Sequence, residues 1–380
     1  MHPRVKPALR RAWRDRQSVQ FGVTSAHAVL VGPVDTATGS MIELLDGTRG
    51  MPLLRTEGRA LGLPDGQVDT LVARLTAAGL IDDVTAGGPD ADALRERAGE
   101  LDRLRPDLAS LTVVHPEPGG GARQLAARRA ARVQVRGAGR VGATVASLLS
   151  ASGVGRVDVL DGGCVEPWDV APGGVPAESV GTRRDSAARQ AVRRAAPGRP
   201  LREGSRAAES AGEPGLSLVV VTPRDGLDAY APDPASAGTW VRSGIPHLYA
   251  GVVEATGVVG PLVLPGGSAC AGCMERARAE LDPGWPRMLA QWRSGRRAGV
   301  PACDIALATA VAALATAHAL SFLDGELPST TGARWEAALP LLDWRSQPVA
   351  AHRECGCGAG GGREGDTASR DLKAQDTMAG

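Results

Sequence analysis

The alternation of apolar and polar residues in the first eighty positions predicts a small unit of strands and helices. Two short β-prone runs occupy 18–23 and 27–32. Apolar residues then recur at helical spacing, which predicts three helices over 41–45, 53–61 and 64–79. The apolar face of the third helix consists of Val68, Leu71, Val72 and Leu75. This order of elements is typical of a small winged-helix domain.

We expect this winged-helix domain to cover residues 1–83. Two stretches within it, 42–49 and 75–81, resemble the PqqD-like domain, which recognises the leader peptides of ribosomally made natural products. The resemblance implies that a leader peptide adds a strand to an edge of the sheet and lays apolar side chains against the third helix. A generic winged helix used for packing or DNA binding is the alternative interpretation.

The rest of the chain divides into three segments by composition. Residues 84–121 are rich in Gly, Pro, Asp and Arg with one helical patch at 93–104, and we interpret them as a linker. A second domain follows over 122–357. The tail, 358–380, is Gly-rich and polar without apolar periodicity, which predicts disorder. The uncharged stretch 305–323 is as long as a membrane span, but it is mostly alanine, so we expect a buried helix of a soluble domain.

A glycine-rich turn follows a predicted strand near the start of the second domain. It reads Gly137-x-Gly139-x-x-Gly142, a helical face follows it, and the next predicted strand ends at Asp161. Glycines let the backbone approach phosphates, a helix N-terminus offers free N–H groups to an anion, and Asp161 can accept hydrogen bonds from a ribose. The pattern predicts a dinucleotide-type α/β unit, which by itself fits NAD or FAD as well as ATP.

The wider sequence resembles the ThiF/MoeB family over about 124–357. The resemblance rests on the runs 133–139, 152–161 and 244–248 and on two later cysteine pairs. It implies a doubly wound Rossmann-like sheet with ATP on the glycine turn. In that family the terminal carboxylate of a ubiquitin-like or sulfur-carrier protein attacks the α-phosphate and forms an acyl adenylate. A homodimer is also implied, because relatives commonly dimerise through this domain.

Four cysteines predict a structural zinc clip. Cys270 and Cys273 form a CxxC in a glycine-rich turn, and Cys355 and Cys357 form a CxC much later in the chain. Two thiolate pairs from separate segments suit tetrahedral Zn²⁺ with no open position, so the ion would be structural. The family carries CxxC twice, and the CxC is therefore a departure from its pattern.

The resemblance breaks at several positions of the family's catalytic pattern, among them the arginine and the lysine that contact phosphates in the family. Asp169 stands where asparagine is expected, Pro172 where arginine is expected, and Arg184 where a lysine is expected. Direct alignment places Arg224 on the magnesium-binding aspartate, and Asp225 recovers that position only with a shift of one residue. If the site is active, Arg184 and Asp225 are the catalytic candidates, with ATP and Mg²⁺ as cofactors. The altered charges instead favour a site that has lost part of its chemistry.

Two functions from different classes follow from these patterns. One is a leader-peptide-binding scaffold that docks a YcaO-type enzyme, which forms azolines in peptides. The other is an active ATP-dependent adenylyltransferase that activates the C-terminal carboxylate of a carrier protein or peptide. A nicotinamide-dependent oxidoreductase is disfavoured, because no substrate domain with a His or Tyr acid follows the glycine turn. Cys303 lies near the place of the cysteine in thioester-forming relatives, and we interpret it as a packing residue.

Composition narrows the partners and the compartment. The 43 Lys and Arg residues nearly balance the 42 Asp and Glu residues, so the net charge of +1 gives no overall attraction to nucleic acid or membranes. The first residues are charged and no apolar run follows them, which predicts no secretory signal and a cytoplasmic location. Six cysteines in such a chain are more typical of metal ligands or thiols than of disulfides.

Overall fold

A computed structural model describes residues 1–198, 215–294 and 299–361. Most of the tail that we predicted to be disordered, from 362 onward, lies outside the described residues. The prediction of disorder therefore stays a prediction.

Residues 1–83 fold around an apolar core that includes the fully buried Phe21, Met41 and Leu54. The elements are strands β1 Pro3–Val5, β2 Arg11–Trp13, β3 Val19–Phe21, β4 Val29–Val31 and β5 Ile81–Asp83, and helices α1 Thr36–Leu44, α2 Met51–Ala60 and α3 Gln67–Ala77. Strands β2, β3 and β4 form an antiparallel sheet, and β1 pairs with β5. The structure contains the two predicted strands and three predicted helices and adds β1, β2 and β5. The winged-helix and PqqD-like assignments stay predictions.

The segment predicted to be a linker is largely helical. It contains α4 Pro89–Arg95, α5 Ala98–Arg103, α6 Arg105–Val114 and α7 Gly120–Ala130. The predicted helical patch at 93–104 coincides with the end of α4 and with α5, but α6 and α7 were not predicted, because these helices are short and each contributes few apolar residues to a pattern. Their leucines form one buried cluster only when the helices pack together. Helix α7 also crosses position 122, where we placed the start of the second domain, and the division into domains stays a prediction.

The second half of the chain is organised by a seven-stranded sheet. Its strands are β6 Arg132–Arg136, β7 Arg156–Leu160, β8 Leu218–Val221, β9 His247–Val253, β10 Thr256–Val263, β11 Ala333–Ala338 and β12 Arg345–Pro348. Their order is β12-β11-β10-β9-β8-β6-β7, with β7, β6, β8 and β9 parallel and the pairs from β9 to β12 antiparallel. The predicted α/β fold is confirmed, and the Rossmann-like part is extended by antiparallel strands into a mixed sheet.

Helices cover both faces of this sheet. They are α8 Arg140–Ala151, α9 Arg184–Ala195, α10 Leu227–Tyr230, α11 Pro234–Arg242, α12 Ala271–Leu281, α13 Trp285–Ser294 and α14 Ile305–Leu323. Short 3-10 turns occupy Pro167–Asp169, Ala177–Ser179, Ser329–Thr331 and Ala359–Gly361. In β8, Leu218 and Val220 pack in the core cluster that contains α8 and α14, whereas Val219 packs with α11 and α12. Alternate side chains of β8 thus pack against the helices on opposite faces of the sheet.

Among the described residues, α14 is the one helix long and apolar enough to cross a membrane by length and composition. Core helices of soluble proteins pass the same test, and Leu307, Val311 and Ala315 of α14 are fully buried in the cluster shared with α8. The helix ends at Asp324, whose carboxylate accepts hydrogen bonds of 2.7 and 2.6 Å from the Arg128 guanidinium on α7. One face of α14 therefore packs in the core, as expected of a core helix, whereas its remaining residues are partly or fully exposed.

Candidate functional site

The glycine turn lies at the carboxyl ends of the parallel strands, between β6 and α8. Gly137 has a φ of 109°, and a Cβ built on it would lie 1.9 Å from the carbonyl oxygen of Thr222. A Cβ on Gly142 would lie 2.0 Å from the Gly137 oxygen, so the fold of the turn excludes side chains at both positions. Gly139 differs, because the nearest atom to its hypothetical Cβ is Cγ of Arg224, at 3.2 Å. The stem of this arginine therefore lies against the turn.

Asp161 follows β7 and connects the turn to the start of α9. Its Oδ2 accepts a hydrogen bond of 2.6 Å from the backbone N–H of Ala138. Its Oδ1 accepts two hydrogen bonds from Nε and Nη2 of Arg184, both 3.1 Å long. Arg184 also donates to the carbonyl oxygens of Gly162 and Cys164. Asp161 and Arg184, which we predicted to contact the ribose and the phosphates, thus form an ion pair with each other.

A second ion pair, Asp169 with Arg224, lies beside the first. Asp169 is buried at the end of a 3-10 turn, and its Oδ1 accepts a 2.6 Å hydrogen bond from Nε of Arg224. Its Oδ2 accepts from the backbone N–H of Glu166, and Nη1 of Arg184 lies 3.7 Å from the same oxygen. The Arg224 guanidinium also lies over the Trp168 ring, 5.8 Å from its centroid. Both ends of the Arg224 side chain are therefore held in place.

A small cavity of 40 Å³ opens next to this pair. Its lining consists of Arg140, Trp168, Asp169, Arg224, Val300, Pro301 and Cys303. The Arg140 guanidinium donates hydrogen bonds to the carbonyl oxygens of Trp168, at 2.7 Å, and Cys303, at 2.8 Å. Burial raises the pKa of the Cys303 thiol, which favours the neutral form expected of a packing residue. Sequence reasoning missed Arg140 and Trp168, because Arg140 fills an unconstrained position of the glycine motif and Trp168 belongs to no motif.

Asp225, the residue that we predicted could bind Mg²⁺, lies just before α10. Its Oδ1 accepts a hydrogen bond of 3.3 Å from the backbone N–H of Leu227. Across residues 1–198, 215–294 and 299–361, one group of three or more His, Cys, Asp or Glu side chains is close enough to hold a metal ion, and it consists of cysteines. The glycine turn therefore has no such group beside it in the described part of the chain.

The four predicted metal ligands come together in space. Cys270 and Cys273 lie at the start of α12, and Cys355 and Cys357 follow β12. Their Sγ atoms all lie within 4.8 Å of one another, with separations of 3.6 Å between Cys270 and Cys355 and 3.5 Å between Cys273 and Cys357. Burial raises the pKa of the Cys270 and Cys273 thiols, and a bound cation would oppose this shift by favouring the thiolates. The group could hold a metal ion.

An open groove of about 670 Å³ runs along the edge strand β2 of the N-terminal sheet. Trp13 forms part of its wall with 53% of its surface exposed, and Arg11 and Glu43 form an ion pair between β2 and α1. The opposite wall is α1, where Gly39 lets the helix approach the Trp13 ring. The resemblance to PqqD-like domains implied a strand added to a sheet edge, together with apolar contacts to α3, and α3 does not line this groove.

Residues 116–359 match the model of the ThiF family. A comparison with curated protein sequences gives no significant match. Similar solved structures include E. coli MccB with succinimide, at 16% identity and a TM-score of 0.66 over 96% of this chain and 100% of that one. E. coli MccB with AMPCPP and MccA is 16% identical, with a TM-score of 0.64 over 94% of this chain and 100% of that one. PaaA is 14% identical, with a TM-score of 0.66 over 91% of this chain and 100% of that one. At these identities the likeness is one of fold, and it spans nearly the whole chain.

Proposed function

We propose that this chain, which belongs to the ThiF family, binds a nucleotide and a precursor peptide as a scaffold in ribosomal peptide modification. The observation that carries the proposal is the position of Arg224. Its stem lies against Gly139 and its guanidinium pairs with Asp169, so a cation stands beside the glycine turn where the family resemblance places a magnesium ligand. Such a site favours holding an anion over organising a metal-bound leaving group.

The peptide part of the proposal rests on the N-terminal unit and on the fold similarity. One of the similar structures is described as the Microcin C7 biosynthetic enzyme MccB in complex with N-formylated MccA, and it covers 94% of this chain. An extended peptide suits the groove beside β2, because an edge strand carries unpaired backbone N–H and C=O groups. We propose that residues 1–83 hold the leader of the precursor there. The YcaO-type partner and the homodimer belong to the same proposal and rest on the resemblance alone.

The cysteine group supports a structural zinc ion. Tetrahedral zinc with Zn–S bonds of about 2.3 Å places its sulfur ligands roughly 3.8 Å apart. The separations of 3.9 Å for Cys270 and Cys273 and of 3.5 and 3.6 Å between the pairs fit this geometry. Four thiolates leave no open position, so the ion would fasten the segment after β12 to α12 and take no part in a reaction.

An active adenylyltransferase is the second candidate function. The observation that favours it is the glycine turn itself, because Gly137 and Gly142 keep the close backbone packing and Asp161 remains bonded to Ala138 at its side. E. coli MccB has been solved with ATP, and the fold likeness covers 94% of this chain. In this function Arg184 would contact phosphates and Asp225 would hold Mg²⁺, after Arg184 leaves its pairing with Asp161.

ATP–pyrophosphate exchange separates the two functions. The assay uses purified full-length protein with a candidate precursor peptide, beside a direct titration of ATP binding. ATP binding without exchange supports the scaffold. If exchange occurs and the substitution Asp161→Ala abolishes it, the site is an adenylation site and the scaffold proposal is overturned.

Binding of a labelled candidate precursor peptide, followed by fluorescence anisotropy, tests the groove. Trp13→Ser removes an exposed aromatic side chain from its wall, and we expect the affinity to fall by about tenfold or more. Trp292→Ser is the matched control, because Trp292 is 49% exposed on α13. Equal loss in both variants, or loss in neither, would argue against the groove as the peptide site.

A further inference from the structure

Two buried N–H groups beside the glycine turn have no acceptor among the described residues. They are Nε1 of Trp168 and Nη2 of Arg224. Buried donors in folded proteins are nearly always satisfied, so each such group requires an explanation. Because one belongs to a guanidinium, an anionic acceptor would satisfy it better than a neutral one.

Both groups belong to residues that line the same small cavity. The Arg224 guanidinium lies over the Trp168 ring, and its Nε is fixed by Asp169, so the orientation of its remaining nitrogens is set. Arg140 contributes a second guanidinium to the lining, held by two backbone carbonyl oxygens that carry no net charge. The cavity thus has two arginines and one carboxylate, which leaves an excess of positive charge. This charge is prearranged to receive an anion.

The size and place of the cavity indicate which kind of anion fits. A cavity needs a volume of roughly 10–15 Å³ to hold one water molecule, so a cavity of 40 Å³ accommodates the oxygen atoms of one anionic group. The Arg224 stem lies against Gly139, which places the cavity at the glycine turn. The planar fork of a guanidinium matches the oxygen atoms of a phosphoryl group. A phosphoryl group therefore suits both the donors and the position.

We propose that Arg224, Trp168 and Arg140 form an oxyanion subsite that holds a phosphoryl group without a divalent metal ion. The Arg224 guanidinium supplies positive charge here, beside the glycine turn and at the position where the family resemblance places the magnesium-binding aspartate. The identification of the phosphoryl group as part of a nucleotide rests on the proposed function. The affinity of the subsite for the anion does not, and the two can be tested apart.

The test is calorimetric titration of the full-length protein with ATP and, separately, with inorganic pyrophosphate, each in magnesium-free and magnesium-containing buffer. We expect the wild-type affinity to change by less than about threefold between the two buffers. Arg224→Gln should weaken binding of both ligands by about tenfold to a hundredfold, since it removes a charge-assisted hydrogen bond. Trp168→Phe keeps the ring beneath the guanidinium and removes only the N–H, so a loss of up to about tenfold is expected.

Arg132→Gln is the matched control. Arg132 donates its Nε to Asp158 at 2.7 Å, as Arg224 does to Asp169, but Arg132 begins β6 whereas the glycine turn follows the end of that strand. This variant should bind as the wild type does. Arg224→Asp should gain a dependence on Mg²⁺, because it replaces the cation by a carboxylate next to Asp169.

The outcomes bear on two points, the subsite itself and the nucleotide of the proposed function. Binding that requires Mg²⁺ in the wild type overturns the subsite, as does unchanged binding in both Arg224→Gln and Trp168→Phe. Pyrophosphate binding that depends on Arg224 without any ATP binding supports the subsite and contradicts the nucleotide in the proposed function. Absence of binding for both ligands contradicts the subsite and the nucleotide proposal together. Thermal melting of each variant identifies loss of folding, and Trp168→Phe decides the test if Arg224→Gln does not fold.

Discussion

Asp169 and Arg224 are 55 positions apart in the chain and share a 2.6 Å hydrogen bond beside the glycine turn. Only 3% of the Asp169 side chain is exposed, against 29% of the Arg224 side chain. The bond joins the 3-10 turn Pro167–Asp169 to the loop that follows β8. The loop after β8 is thereby fastened to the segment after β7, and the orientation of the arginine depends on a carboxylate that solvent hardly reaches.

Replacing that carboxylate should therefore destabilise the fold and release the arginine. We expect Asp169→Ala to lower the free energy of unfolding by about 1–3 kcal/mol, because it leaves the Glu166 N–H and the Arg224 guanidinium without their acceptor. Urea denaturation measures the change. Asp69→Ala, at an exposed ion pair with Arg55, should leave the urea midpoint unchanged. Equal midpoints for Asp169→Ala and the wild type would contradict the structural role of the pair.

Gly137 should tolerate no side chain. Gly137→Ala places a Cβ within 1.9 Å of the Thr222 carbonyl oxygen at a φ of 109°, so we expect a loss of at least about 2 kcal/mol in unfolding free energy. Gly162→Ala is the control, since a Cβ there meets no atom within 4 Å. The comparison is made by thermal and urea unfolding. The steric argument fails if the two variants unfold together.

The cysteine group should bind about one zinc ion per chain. Cys273→Ser removes a buried ligand, and we expect loss of zinc, measured by plasma mass spectrometry, together with a lower melting temperature. Cys164→Ser should retain both, because Cys164 is exposed and lies outside the group. Zinc content that is unchanged in Cys273→Ser would show that the metal is held elsewhere.

The buried pair of Arg128 and Asp324 should contribute strongly to folding. Their side chains are 9% and 7% exposed and form two parallel hydrogen bonds. We expect Asp324→Ala to lower the unfolding free energy by about 3–5 kcal/mol, because it leaves a guanidinium buried without a counter-charge. Asp65→Ala, at the exposed pair with Arg59, should produce no measurable change. A small effect at Asp324 would mean that water reaches Arg128 after the substitution.

Local signals in the sequence predicted the start of the sheet domain but not its antiparallel half. The glycine turn and Asp161 lie in one short motif, so a strand, turn, helix and strand could be predicted together. The hairpin between β9 and β10 has Glu254 and Ala255 at its turn, with φ of 48° and 61°. Such backbone angles are usually marked by Asn or Gly, and neither residue is present in this turn. The sheet pairing imposes this turn against local preference.

In the candidate site, too, local motifs could be predicted from the sequence and long-range contacts could not. Positions inside the motif were predicted, but the pairing of Arg184 with Asp161 spans 23 residues and could not be read from spacing. The contact of Arg140 with the Trp168 carbonyl spans 28 residues and joins a variable position of the motif to a segment without a motif. Long-range contacts of this kind depend on how the chain folds back on itself.

The two cysteine pairs lie on either side of strands β11 and β12 in the chain. Cys270 and Cys273 come before both strands, and Cys355 and Cys357 come after them. During translation the first pair leaves the ribosome while the sheet still lacks its last two strands, and that pair alone offers only two of the four sulfurs. A chain that stops within β12 keeps this half-set, so the four sulfurs come together only after the last two strands of the sheet have been made.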